Sequence, residues 1–442
     1  MALLAVVLQG CGVYQKYSKA TDVDKDLFGD EYASVDTTSI ATLSWREFFT
    51  DPKLRDLIDS VLVRNTDLRM AHIRVEQAEA SLFAARLAFL PSVGLSGEGA
   101  VARWDGQNSK TYNLGANASW ELDIFGRVRN AKMESKSALE GSQAYEQALV
   151  ATVASTYYSL LMLDEQLAIN ERTLENWDKT VSAMKSLMKA GYFNKTAVLQ
   201  AEANKMALEQ AVVAVKQSII ATAKSMSSLL AKTPGSIERG TLDGQSFPQE
   251  LSVGLPVSLL ANRPDVRQAE AQLAQAFYAV GSARSAFYPS LNLSGAAGWT
   301  NNGGGIVVNP GDLLLNMAGS LAQPLFNKGA NVANLKIAKA EQEAALLAFR
   351  QKLLDAGAEV NNSLTSWQTA RKRLEIGEKR IESLKEAVQK TERLMKHSSV
   401  NYLEVLTAQQ SLLSAEESQV QDRYEEIRSV ISLYQALGGG WR

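Results

Sequence analysis

The sequence predicts a mainly α-helical protein that carries a membrane β-barrel segment and is built from two structural repeats. Three observations point there: an internal duplication, two long proline-free heptad tracts, and four runs of alternating hydrophobicity. The duplication is plainest in AARLAFLPSVGLSG, Ala84 to Gly97, and SARSAFYPSLNLSG, Ser282 to Gly295, which agree at nine of fourteen places at an offset of 198. Further on, Leu187-Met188-Lys189, Asn194 and Val198-Leu199 recur at Leu394-Met395-Lys396, Asn401 and Val405-Leu406, now 207 apart. An offset that grows is what loop insertions produce. The repeats span 51–232 and 257–437, joined by a linker at 233–256 that is richer in proline and glycine, with a short tail at 438–442.

Long helices follow from proline placement. The nine prolines leave 125–233 and 325–442 empty, and a proline inside a helix costs about 3 kcal/mol. In the first tract Leu149, Val153, Thr156, Leu160, Leu163, Leu167, Asn170, Leu174, Trp177, Val181, Met184 and Met188 alternate steps of four and three. That is a heptad seam. Leu374, Gly377, Ile381, Leu384, Val388, Thr391 and Met395 repeat it less cleanly in the second tract. A helix from Arg127 to Lys189 would be roughly 95 Å long and needs partner helices along its whole length. Return helices near Thr196–Ala231 and Tyr402–Leu437 supply part of that. Helices near Thr66–Phe89 and Pro264–Phe287 supply the rest, with Pro264 suited to a first helical position. The turns between rod and return helix fall at 190–196 and 397–402.

After Pro91 and Pro289 the period changes from 3.6 to 2. Four strands are expected, about 90–103, 111–123, 288–300 and 313–325. Val93, Leu95 and Val101 alternate with Ser92, Ser96 and Glu98, and Tyr112, Leu114, Trp120 and Leu122 with Asn113, Asn117, Ser119 and Glu121. Leu291, Leu293 and Trp299 oppose Ser290, Asn292 and Ser294; in a weaker fourth run Leu313, Leu315, Met317 and Leu321 oppose Asn316 and Ser320. One apolar and one small polar face over about ten residues is the transmembrane barrel pattern. The connections Asp105–Lys110 and Thr300–Asp312 read as external loops. Four strands cannot close a barrel, and an open edge in lipid leaves backbone groups unpaired. Two copies would give eight strands and a filled interior; three would give twelve and a hollow one.

The amino terminus reads MALLAVVLQGCGVY, an apolar run at 1–10 ending in Leu-Gln-Gly before Cys11. That resembles the end of a bacterial lipoprotein signal, which would make Cys11 the lipidated first residue of the mature chain and 11–50 an anchor and equatorial segment; the alternative is a short apolar tail with an incidental thiol. With 46 basic and 48 acidic side chains, no nucleic-acid partner is indicated. Two histidines, His72 and His397, and one cysteine leave no metal site and no internal disulfide in prospect. The sequence holds no phosphate-binding G-x-x-x-x-G-K-[ST], no H-E-x-x-H and no G-x-S-x-G, so no enzyme and no cofactor are expected.

These residues resemble the outer-membrane factor family, the TolC-like channels, in its lipoprotein branch serving resistance-nodulation-division efflux pumps. The resemblance rests on Asn262-Arg263-Pro264-Asp265-Val266, on the repeated Ala-Phe-X-Pro-Ser, and on Trp120-Glu121-Leu122-Asp123-Ile124-Phe125-Gly126-Arg127. Leu325-Phe326-Asn327-Lys328-Gly329, Asn401-Tyr402-Leu403-Glu404-Val405-Leu406 and the closing Ala436 to Trp441 add to it. It implies a homotrimer, with a 12-stranded barrel in the outer membrane continuing into a 12-helix α-barrel in the periplasm, and a lipid anchor at the inner leaflet. It also implies a periplasmic adaptor protein docked at the tips, here Gly191, Tyr192, Asn194, Thr196, Ser398, Ser399 and Asn401, and an inner-membrane pump beyond it. Relatives close the pore with an acidic ring near the second tip. The matching position here carries Val400, so this chain departs from the pattern, and Tyr402 and Glu404 stand beside Val400 as candidates for the constriction. The functional expectation is a passive exit duct of a tripartite efflux system. The alternatives are the channel of a type I protein secretion system and a periplasmic coiled-coil scaffold lipoprotein.

Overall fold

The structure is a computed structural model that describes residues 14–18, 40, 43–142, 146–192, 194–245, 247, 263–300, 313–396 and 402–439. Cys11, Ser398, Ser399, Val400 and Asn401 lie outside the described residues, as do 301–312 of one expected external loop and most of 246–262 at the end of the linker and the start of the second repeat. In chain order the elements are α1 (Trp45–Phe48), α2 (Pro52–Arg64), α3 (Thr66–Leu87), β1 (Ser92–Trp104), β2 (Gln107–Leu122), α4 (Arg127–Ser142) and α5 (Glu146–Lys189). They continue with α6 (Lys195–Leu229), α7 (Pro264–Ser285), β3 (Ser290–Thr300), β4 (Leu314–Ala322), α8 (Ala330–Lys396) and α9 (Tyr402–Ala436). The expected 127–189 rod is thus described as two helices, α4 and α5, on either side of 143–145. By contrast α8 is continuous over 67 residues.

The chain divides into two units. One holds the sheet with 72–143 and 267–352; the other holds 23–71, 144–266 and 353–442. In the first, the four strands pair antiparallel in the order β1-β2-β3-β4. The β1–β2 connection is tighter than the loop expected at Asp105–Lys110. Asp105 and Gly106 alone make the turn, both with positive φ (47° and 74°). That two-residue Asp-Gly hairpin matches the twist of the flanking strands, and β2 therefore begins four residues earlier than expected. On the polar face Gly115 lies opposite Gly298, where a Cβ on Gly115 would stand 2.9 Å from the Ala297 carbonyl oxygen. Close backbone approach of β2 and β3 requires glycine there.

Below the sheet, Asp123 caps α4 by accepting from the Val128 and Arg129 N–H groups at 2.9 and 3.0 Å. Gly281 of α7 faces Asn130 of α4 so closely that any Cβ would collide with its amide. The segment 14–18 packs on the same helices. The Arg129 guanidinium lies 4.9 Å from the Tyr14 ring, Tyr17 N–H donates to Tyr278 Oη at 3.3 Å, and Tyr17 meets Phe277 edge-on.

In the second unit the heptad seam of α5 is the core. Val153, Leu160, Trp177 and Met184 are fully buried, as are Ala197, Val198, Ala201 and Leu208 of the facing α6. The α8 seam residues from Leu374 to Thr391 are only half-buried, matching their less regular pattern. Gly377 sits in that seam because the Gln419 side chain of α9 fills the space a Cβ would take, donating to the Leu374 carbonyl at 3.3 Å. An aromatic cluster closes the unit: Phe48 stacks on Tyr434 at 4.0 Å, and Tyr434 Oη donates to the Leu43 carbonyl at 2.7 Å. Asp51 is its polar centre. It caps α2 through Lys53 N–H and accepts from Tyr157 Oη at 2.6 Å and Gln245 Nε2 at 2.9 Å. Burial pushes the Tyr157 and Tyr158 hydroxyls well above the usual phenol range, so both remain neutral donors.

Candidate functional sites: the lipid-facing sheet and the helix ends

Strand register decides whether the alternating runs build one apolar surface. Leu95 pairs with Ala116, Ala116 with Ala297, and Ala297 with Leu315; Leu114 pairs with Trp299, and Gly295 with Met317. All these residues share one face, and on it Leu95 and Met317 are 89% and 92% exposed. The opposite face pairs Ser92 with Ser119, Ser119 with Ser294, and Asn117 with Ala296. A sheet with its apolar side chains outward and its polar side toward the interior is built for lipid. At one level of that face Trp120 donates its Nε1–H to the Phe89 carbonyl at 2.9 Å, and at the other Trp299 is exposed. Aromatic residues at both levels match membrane interfaces. Strands of 9 to 16 residues are long enough to cross. In a single chain β1 and β4 each keep an unpaired edge. Among the described residues no helix is long and apolar enough to cross a membrane.

At the first helix turn, four of the expected residues come together. Gly191 adopts a left-handed φ of 81°, and its N–H donates to the Met188 carbonyl at 3.0 Å. The Tyr192 N–H reaches back to the Leu187 carbonyl at 3.0 Å, closing α5 with the two-bond glycine motif. The Tyr192 ring is exposed. Asn194 caps α6 by accepting from Ala197 N–H at 2.9 Å, with Thr196 exposed in the first turn. At the second turn Tyr402 is half-buried at the start of α9 and Glu404 is exposed in its first helical turn, where the helix dipole favours a carboxylate.

The residues that tie the helices together gave no signal in the sequence. Glu416 of α9, with its side chain 12% exposed, meets Arg172 of α5 at 3.0 Å and Lys385 of α8 at 3.6 Å. Gln409 of α9 donates to Thr180 Oγ1 at 3.2 Å and Glu392 Oε1 at 2.9 Å. Asp422 stands 2.6 Å from Arg373; burial pushes its carboxyl up while the guanidinium opposes that. A cavity of about 520 Å³ lies among Glu165, Arg172, Lys385, Glu416 and Arg423. Its cations are already paired with acids: Arg172 and Lys385 with Glu416, Arg423 with Glu426. Among the described residues no cluster of His, Cys, Asp and Glu could hold a metal ion.

Membrane strands carried on a scaffold of long paired helices define a β-barrel channel protein with a large helical part. The chain belongs to the outer membrane efflux protein family, whose model matches residues 57–232 and 255–439. It is 30% identical over 450 residues to the cation efflux system protein CusC of Escherichia coli O6:H1, covering 99% of this chain and 98% of that one. It is also 30% identical over 407 residues to the probable outer membrane lipoprotein SilC of Salmonella typhimurium, covering 90% and 88%. Among solved structures, the open state of the Neisseria gonorrhoeae MtrE outer membrane channel matches with a TM-score of 0.86 at 29% identity, over 97% of this chain and 98% of that one.

Proposed function

We propose that three copies of this chain form the outer-membrane exit duct of a tripartite efflux system. The observation that carries this is the four-stranded sheet with a continuous lipid face and two open edges. An open edge in hydrocarbon leaves several kcal/mol of unsatisfied backbone, so sister copies must pair β1 with β4. Three copies give a barrel wide enough to be hollow. The duct does no chemistry, and its driving force comes from the inner-membrane pump. The names of relatives favour that pump over a protein exporter: CusC is named for cation efflux. The sheet stands against a poreless scaffold, which has no use for lipid-facing strands.

The adaptor protein docks at the helix-turn ends. At Gly191 nothing lies within 4 Å of a built Cβ, so a side chain there projects into open space and burdens the fold only with left-handed strain of about 1–2 kcal/mol. Gly191→Arg is therefore expected to abolish efflux in drug or metal tolerance assays while trimers persist on native gels. Normal tolerance would rule out docking at this turn. Lipidation at Cys11 is a second anchor, supported by the description of SilC as a lipoprotein. Cys11→Ser should lose the acyl mass and keep channel activity, because the barrel alone holds the protein in the bilayer. An unmodified Cys11 in native protein, read by mass spectrometry, would contradict the anchor.

A further inference from the structure

We propose that the four helix–strand junctions form a cationic collar that binds the headgroups of anionic phospholipids in the leaflet facing the helices. The proposal rests on the membrane reading above. Register places all four junctions along one border of the sheet: Ser92 pairs with Ser119, Leu122 with Leu291, and Ser290 with Ala322. The duplication gives each junction one cation. Arg86 at the end of α3 matches Arg284 at the end of α7, and Arg127 at the start of α4 matches Lys328 just before α8. On the sheet side of each cation stands an exposed apolar or aromatic residue: Leu90, Ile124, Tyr288 and Phe326, the last 86% exposed. A cation flanked by an apolar anchor is how side chains settle at a headgroup boundary.

Helix electrostatics explain only half of this arrangement. Arg86 and Arg284 lie in last turns, where the helix dipole favours cations. Arg127 and Lys328 lie at helix starts, where it opposes them. Arg127 is compensated by Glu121. Lys328 is exposed, has no ion pair among the described residues, and adopts a left-handed φ of 48° beside Gly329 at 79°. A lysine held in that strained conformation, at the wrong helix end and without an acid, calls for an anion from outside the chain. The junction acid Asp123 is already spent on the α4 N–H groups. The docked segment Tyr14–Tyr17 reaches the same border through Arg129 and Gly126, where a Cβ at residue 126 would stand 3.2 Å from Tyr14 Cβ.

The test is native mass spectrometry of full-length protein released from nanodiscs of equimolar phosphatidylcholine and phosphatidylglycerol. Attraction of a juxtamembrane cation for anionic lipid corresponds to about fivefold per residue, so phosphatidylglycerol should be enriched at least that much. High salt should remove the enrichment, and so should the triple variant R86Q/R284Q/K328Q. K189Q/K195Q at the first helix turn should keep it. Equal retention of the two lipids by the wild type, or enrichment surviving in the triple variant, overturns the collar. Single-channel conductance in phosphatidylcholine alone separates the two readings. A wild type that conducts but shows no lipid preference overturns the collar alone; a wild type that does not insert overturns the channel and the collar with it.

Discussion

Met317→Arg should remove the membrane-inserted, assembled protein almost completely, whereas Asn316→Arg, one residue away, should leave it in place. Met317 is in β4 on the lipid face, paired with Gly295, and Asn316 is on the polar face, paired with Ala296. An arginine on the lipid side near the middle of a bilayer costs about 2–4 kcal/mol per copy, hence roughly 6–12 kcal/mol across three copies. That range is comparable to the whole stability of many folded domains. On the polar side the same guanidinium meets water and adds positive charge to the lumen. The readouts are the yield of heat-resistant oligomer in the outer-membrane fraction and, for Asn316→Arg, a changed conductance. Equal tolerance of the two substitutions would mean that the faces are assigned wrongly.

Arg263→Ala should lower the thermal stability of the detergent-solubilised protein by about 3 kcal/mol, the low end for a broken buried ion pair because one partner is half exposed. Arg263 is 7% exposed at its side chain. It grips Asp265 with two nitrogens at 3.0 and 2.9 Å, donates to Glu359 Oε2 at 2.7 Å, and reaches the Ala436 carbonyl at 3.0 Å. One side chain thereby joins the start of α7 to the middle of α8 and the last residue of α9. Lysine at this position makes a single point contact and cannot reproduce the fork, so Arg263→Lys should recover less than half of the loss. Unchanged melting in Arg263→Ala would show that α7 is positioned by apolar packing alone.

The features legible in the sequence are those that repeat. Period-two alternation located all four strands, and the observed register placed the alternating apolar residues from Val93 to Leu321 on one side, while Leu314, paired with Gly298, falls on the other and Leu313 precedes β4. The heptad run through Val153, Leu160, Trp177 and Met184 located the α5 core because a seam buries residues at fixed spacing. Gly377 is an odd member of its seam, and the periodicity holds no reason for it; the reason is the Gln419 side chain, 42 positions further on. Contacts made once are silent in a single sequence. Arg172 and Glu416 are 244 positions apart, and no local pattern announces that one carboxylate will serve two helices. Asp105-Gly106 was legible in principle, since that pair is a strong hairpin signal, but the polar residues after it resembled loop more than strand. The helix turn at Gly191 could be read from its Gly and Asn punctuation. The second turn, read at 397–402 from Ser398, Ser399 and Asn401, falls on residues 397–401 outside the described ones and on Tyr402 at the start of α9.

The most direct measurement is the mass of the purified, detergent-solubilised protein, by native mass spectrometry or light scattering, on the same sample that is tested for conductance in a planar bilayer. Three chains per particle and discrete ion-conducting openings are expected. Particles of one chain, or two-chain particles that stay silent in the bilayer, would contradict the claim that strands β1 and β4 find their partners only in sister copies.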